Sequence, residues 1–349
     1  MKTTKRRVSG RRNAVTARIV MLRVFVCAAL LGGTPLRAQN AGFAVIPDNP
    51  RSGEPVTVAA TALPEGTVYA SLYNSRNRQL SRARFFYYTT AEPPAASASP
   101  DAAASPDTPA QTAPCFAAVL AVPATAGSGA MTIRLETVNG KETVTLAEQE
   151  ITVAERRFNA EEIPLNQSNT DIRTKPDPVK TTQADELWTI LTRTGNKVYT
   201  EGPFEPPVPA NTRRTSYFGD RRVYVYATGG RDTSIHAGVD YGVPTGTPVR
   251  ACARGKVVLA QFRISTGNSV VLEHLPGVYS LYYHLDTLNV VTGAIIDTGT
   301  MLGTSGATGL ATGPHLHWEI RAASENTDPD AFVNRPILDR NLILSKLHP

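Results

Sequence analysis

The sequence predicts a mostly β protein: an N-terminal Ig-like β-sandwich, a linker with one helix, and a second, antiparallel β domain. Three observations predict it. Residues 41–155 fall into short runs of alternating apolar and polar residues broken by turn residues, the pattern of half-buried strands. A Pro-rich run, Pro203-Phe204-Glu205-Pro206-Pro207-Val208-Pro209, then interrupts the chain and marks a boundary. Beyond Thr215 the β pattern returns with Gly-rich turns. A chain of 349 residues has room for two ordinary domains and their linkers.

Residues 1–38 read as a signal peptide. They hold nine Lys or Arg and no acid, then an apolar run from Val24 to Leu31, Gly32-Gly33, and a small-residue cleavage point after Ala38. The apolar run is too short to span a bilayer, and no later segment predicts a transmembrane span in the mature chain. Val26 precedes Cys27 where a lipid-attached cysteine needs a small residue, so no lipid anchor is expected. Met21 is a second candidate start. The formal charge of +6 belongs to this leader: the other 27 basic residues face 30 acidic ones, a balance of −3. A nucleic-acid partner, which needs a basic patch on the folded part, is therefore not expected. Export to the periplasm or cell envelope, or secretion, is. Cys115 and Cys252 lie in different predicted domains and read as two buried thiols.

In the sandwich, residues 41–155, Val56–Ala60, Thr67–Leu72, Met131–Leu135, Thr143–Leu146 and Glu150–Val153 read as strands. Asn139-Gly140 is a hairpin signal. Glu92 to Pro114, rich in Ala, Pro, Ser and Asp, cannot bury a core and reads as a disordered insertion. The linker, 156–210, carries a helix at 183–194 with Thr182 as N-cap and Leu187, Trp188 and Leu191 as its apolar face. The C-terminal domain, 211–340, reads as strands at Val249–Ala260, Ser269–His274, Val278–His284 and His315–Arg321, with a tail at 341–349.

Six histidines are present, and four of them fall with one Asp in three short motifs after residue 230: His236-Ala237-Gly238-Val239-Asp240, Tyr283-His284-Leu285 and Pro314-His315-Leu316-His317-Trp318. Residues i and i+2 of a strand share a face, so His315 and His317 project together. His236 and Asp240, four apart, share a face in a strand or a helix. Each motif alone has an ordinary structural explanation; together they point to a metal site. Two His and one Asp leave a catalytic zinc with an open position and a residual positive charge that favours ionised water. The remaining histidines are then available as general base or oxyanion donor.

These motifs, with Ser216-Tyr217-Phe218-Gly219-Asp220-Arg221 before them and Gly306-Ala307-Thr308-Gly309 between, resemble the lysostaphin- and LytM-type zinc metallopeptidases that cut peptidoglycan. Nearly the whole C-terminal domain carries the resemblance. It implies His236, Asp240 and His317 as ligands of one Zn2+, and His315 and His284 as the catalytic pair. It also implies a helping tyrosine upstream of the HxxxD, for which Tyr224 and Tyr226 are candidates. The implied substrate is a peptidoglycan stem peptide or cross-link. The alternatives are a non-catalytic regulator of cell-wall amidases, which would have lost zinc ligands, and a zinc peptidase acting on a protein. His274 reads as structural, Glu319 as support behind the metal, and Arg221 and Arg222 as solvated.

Overall fold

A computed structural model describes residues 42–89 and 114–347. The expected leader, residues 92–113 of the expected insertion, Cys27 and His348 lie outside them; the insertion's last expected residue, Pro114, instead opens a strand. The described part is mostly β, with antiparallel pairing throughout except one parallel contact between strands and one isolated parallel bridge. Among the described residues no helix is long and apolar enough to cross a membrane.

The N-terminal region forms two four-stranded sheets. Strands β1 (Phe43–Ile46), β2 (Pro55–Ala60), β5 (Phe86–Thr89) and β6 (Pro114–Ala121) make one, in the order β1-β2-β6-β5. Strands β3 (Val68–Asn74), β4 (Gln79–Arg84), β7 (Gly129–Asn139) and β8 (Glu142–Val153) make the other, in the order β4-β3-β7-β8. The runs Thr143–Leu146 and Glu150–Val153 belong to the single strand β8. Gly140 takes a left-handed φ of 62° in the β7–β8 turn, where glycine carries no Cβ penalty. One face of the first sheet shares a core with the second through Val56, Val58, Leu72, Leu120, Ile133 and Leu135. Its other face also packs: Ala59, Phe86, Ala117, Val119 and Ala121 join a core with Val239, Leu316, Trp318 and Ile320 of the C-terminal region. Strand β2 is accordingly buried at all six positions. No Ig-like topology is assigned to this pair of sheets.

The linker holds more structure than its sequence announces. Strand β9 (Ala160–Pro164) precedes helices α1 (Gln167–Thr174) and α2 (Pro178–Thr192). The helix expected at 183–194 thus begins five residues earlier. Asp177 is its cap, accepting from the N–H groups of Val179 and Lys180, and Pro178 occupies the first turn, where a missing N–H costs nothing. The Thr182 hydroxyl instead donates to the Pro178 carbonyl within the helix. The packed face is Leu187, Ile190 and Leu191, against Leu259, Val271, Tyr279, Leu281 and Tyr283. Trp188 is 58% exposed and faces away.

The C-terminal region builds a ten-stranded sheet. Its members are β10 (Arg214–Ser216), β13 (Gly238–Tyr241), β14 (Pro248–Arg250), β15 (Gly255–Arg263), β16 (Gly267–Leu275), β17 (Val278–Leu288), β18 (Ile295–Ile296), β19 (Met301–Ser305), β20 (Leu316–Ala322) and β21 (Glu325–Thr327). The expected strand Val249–Ala260 is broken into β14 and β15 by Ala251–Arg254. The central path runs β10-β13-β20-β17-β16-β15-β18. Strands β11 (Arg221–Val225) and β12 (Arg231–Ile235) form a hairpin, and linker strand β9 adds to it in parallel. Helix α3 (Pro329–Val333) follows, and α4 (Arg340–Leu347) occupies the expected tail. Cys115 and Cys252 are buried and unbridged.

Candidate metal centre and catalytic cleft

The register of three neighbouring strands creates the site. Asp240 on β13 pairs with His317 on β20, and His317 pairs with Tyr283 on β17. Strand alternation puts His317 and Glu319 on one face and Leu316, Trp318 and Ile320 on the other; that second face meets the N-terminal sheet. His236 arrives from the turn before β13. Gly238 permits the approach, because a Cβ there would lie 2.1 Å from the Trp318 carbonyl oxygen.

Three atoms converge. His236 Nε2 is 3.1 Å from Asp240 Oδ1 and 3.0 Å from His317 Nδ1, and His317 Nδ1 is 2.9 Å from Asp240 Oδ1. The other nitrogen of each imidazole already has an acceptor: His236 Nδ1 reaches the Tyr217 carbonyl at 2.9 Å, and His317 Nε2 reaches Glu319 Oε2 at 3.3 Å. With those N–H groups donated outward, the inward nitrogens present lone pairs, as metal-binding histidines do. Three mutually facing acceptors need a cation between them. Tetrahedral zinc ligands at about 2.0–2.2 Å from the ion stand about 3.4 Å apart, so a few tenths of an ångström of relaxation admits it. The His, Asp, His donor set fits one zinc ion.

Without an ion, protons on the inward nitrogens take the place of the cation. Burial alone would raise the Asp240 carboxyl, but hydrogen bonds from His236 and His317 hold it well below its ordinary value. Burial pushes His236 down. Burial also opposes charge on His317, yet the carboxylates of Asp240 and Glu319 outweigh it and raise the imidazole to about 9. Burial would raise Glu319 as well; Arg321 and then His317 pull it down to about 2. Glu319 is further held by Arg321 and by the Asn326 amide. Arg222, expected to be solvated, is largely buried and paired instead. Its Nη2 lies 2.5 Å from Asp240 Oδ2, and its Nε lies 3.0 Å from Glu161 Oε1. The outer oxygen of Asp240 is thus occupied, leaving Oδ1 for the metal. Arg221 sits over the Phe158 ring, 5.1 Å from its centroid.

The two remaining histidines stand beside this cluster. Their rings are 4.7 Å apart, and His315 Nε2 is 3.9 Å from Asp240 Oδ1. His315 Nδ1 donates to the Gly313 carbonyl and His284 Nδ1 to the Thr308 carbonyl, each at 2.8 Å. Both Nε2 atoms are left as acceptors. Burial, then the neighbouring His315, pushes the His284 imidazole down to about 3. His284 has φ 62°. In a regular strand it would face opposite to Tyr283; the left-handed backbone brings both into the same cleft. Tyr283 stacks on His317 with ring centroids 5.5 Å apart.

The cleft is about 450 Å³ and is lined by all five predicted residues. Tyr224 lines it too, and Tyr226 does not. Ile163, Leu165 and Arg173 of the linker form part of its wall, a contribution with no local signal in the sequence. His274 lies in the core, with Nδ1 on the Arg254 carbonyl and Nε2 on the Ser280 hydroxyl.

Residues 234–329 match the model of peptidase family M23. The chain carries an M23 peptidase domain. It is 36% identical over 135 residues to the DD-carboxypeptidase/endopeptidase Mpg of Neisseria meningitidis, covering 39% of this chain and 30% of that one. It is 36% identical over 114 residues to the peptidoglycan DD-endopeptidase ShyA of Vibrio cholerae, covering 33% and 26%. The matches therefore span less than a third of these relatives. A putative peptidase M23 from Pseudomonas aeruginosa shares the fold, with a TM-score of 0.50 at 20% identity over 81% of this chain and 94% of that one. The M23 match begins two residues before His236 and ends at Pro329, so Arg222, Tyr224 and the linker wall lie outside it.

Proposed function

We propose that this protein is a zinc-dependent endopeptidase of the bacterial cell envelope that hydrolyses peptide bonds in peptidoglycan stem peptides or cross-links. The observation that carries the reading is the convergence of His236 Nε2, Asp240 Oδ1 and His317 Nδ1 within 3.1 Å of one another beside two further histidines with free Nε2 atoms. The name of ShyA, a peptidoglycan DD-endopeptidase, supports the substrate class, and that of Mpg supports the peptidase activity. The five side chains are all of the required type, which favours catalysis over the regulator reading.

His236, Asp240 and His317 would hold the ion, which when bound supplies a Lewis acid for the scissile carbonyl and acidifies water. His315, held by the Gly313 carbonyl, takes a proton at Nε2 and passes it to the leaving amine. His284, fixed by Thr308 and placed 4.7 Å from His315, orients the same proton. Tyr224 lines the same cleft and is the candidate donor to the tetrahedral oxygen. The fixed carbonyl partners remove the need to reorganise either imidazole during reaction.

Clearing of purified sacculi tests the reading. Clearing should stop with chelator, resume on adding zinc, and be absent in His315→Ala. Clearing that survives chelation, or equal clearing by His315→Ala, contradicts it.

A further inference from the structure

The M23 match starts at residue 234, yet the metal cluster is braced from the linker. Glu161, on strand β9, reaches two of the three candidate ligands through one intermediary each. Its Oε1 lies 3.0 Å from Arg222 Nε, and Arg222 Nη2 lies 2.5 Å from Asp240 Oδ2. The same Oε1 accepts from the Ser216 hydroxyl at 3.0 Å, and Ser216 Oγ lies 3.3 Å from His236 Nδ1. The placement follows from the register: Arg222 pairs with Glu161 in the parallel β9–β11 ladder. The neighbouring Glu162 points elsewhere and pairs with Arg231, both 58% exposed.

We propose that Glu161 is a positioning residue of the zinc site, contributed from outside the peptidase domain. Two physical effects combine. Arg222 fixes the rotamer of Asp240 so that Oδ1 faces His236 and His317; Glu161 fixes Arg222. A guanidinium beside a dication is also repelled, and the Glu161 carboxylate offsets that charge while leaving the hydrogen bond to Asp240 in place. Glu161 is partly exposed, so water screens its charge; the effect expected is that of an outer-shell partner, about tenfold or somewhat more in metal affinity. The inference rests on the ligand assignment proposed above.

Zinc affinity measured by chelator competition tests it on the full chain and on Glu161→Gln, Glu162→Gln and His317→Ala, with urea unfolding in excess chelator as the control for the fold. Glu161→Gln should bind zinc about tenfold or more weakly, Glu162→Gln should match the parent, and the metal-free unfolding midpoints should agree. Glu161→Asp, which keeps the charge and shortens the reach, should fall between and replaces Glu161→Gln if that variant does not fold. Unchanged affinity in Glu161→Gln, or equal losses in Glu161→Gln and Glu162→Gln, overturns the proposal. If instead His317→Ala binds zinc as well as the parent, the ligand assignment itself fails.

Discussion

At the scale of single residues, the site divides into atoms that would hold the metal and atoms that would move the proton, and the two sets respond differently to substitution. His315→Ala leaves the His236–Asp240–His317 triangle complete. It should retain zinc and lose hydrolysis by about 10²–10⁴-fold, the range for removing a general acid–base group; zinc content and rate measured on the same sample check this. Gly238→Ala should disturb both, since its Cβ would sit 2.1 Å from the Trp318 carbonyl oxygen and the strand pairing that joins Asp240 to His317 would have to open. The histidines were legible in the sequence because they cluster in short motifs, although only His284 and His317 lie on strands and His236 and His315 stand just before theirs. Two features were not. The left-handed φ of His284 is a local backbone event that no side-chain pattern announces. The pairing of Arg222 with Asp240 depends on where two strands meet in space.

At the scale of elements, helix α2 backs the site by packing on Tyr283, which stacks on His317. Leu191→Ala should cost about 2–5 kcal/mol in urea unfolding, whereas Trp188→Ala on the exposed face should stay within about 0.5 kcal/mol. The sequence placed a helix here, with Leu187 and Leu191 on its packed face, but misjudged its start and put Trp188 inward where Ile190 packs. Asp177-Pro178 is a cap and first-turn pair that competed with Thr182, and the inward face is chosen by the sheet beneath it. Strand β16 carries His274, enclosed by the Arg254 carbonyl, the Ser280 hydroxyl, the Cys252 thiol and the Phe204 ring. Burial pushes this imidazole from 6.5 down to about 4. The unfolded chain therefore binds its proton first as pH falls. The stability tied to neutral His274 is complete above about pH 6.5 and is lost progressively down to about pH 4, up to about 3 kcal/mol. His274→Gln should flatten the dependence of unfolding free energy on pH across that window; an unchanged slope would remove His274 from the account.

At the scale of the molecule, the first N-terminal sheet is the middle of three layers, sharing one core with its partner sheet and another with the back of the metal-bearing sheet. It supports the site from behind; among the described residues it does not cover the cleft. The seam also carries polar ties. Arg156 pairs with Asp328 at 2.6 Å, Thr57 donates to the Ile337 carbonyl, and Thr327 donates to the Gly53 carbonyl. Arg156→Ala would leave Asp328 buried without its partner and should destabilise the whole chain by about 3 kcal/mol, in one cooperative transition by calorimetry. The sandwich and its hairpin were readable from alternation and from Asn139-Gly140. Its second buried face was written more quietly, in strands such as Pro55–Ala60 whose apolar and small residues do not alternate with charge. Linker strand β9 pairs in parallel with a strand some sixty residues later, and such long-range pairing leaves no local periodicity to read. Mass spectrometry of purified peptidoglycan after incubation with the zinc-loaded protein tests the central claim most directly. New peptide-bond termini should form and should vanish in His317→Ala and in chelator. Intact stem peptides and cross-links beside a protein that demonstrably holds one zinc would contradict it.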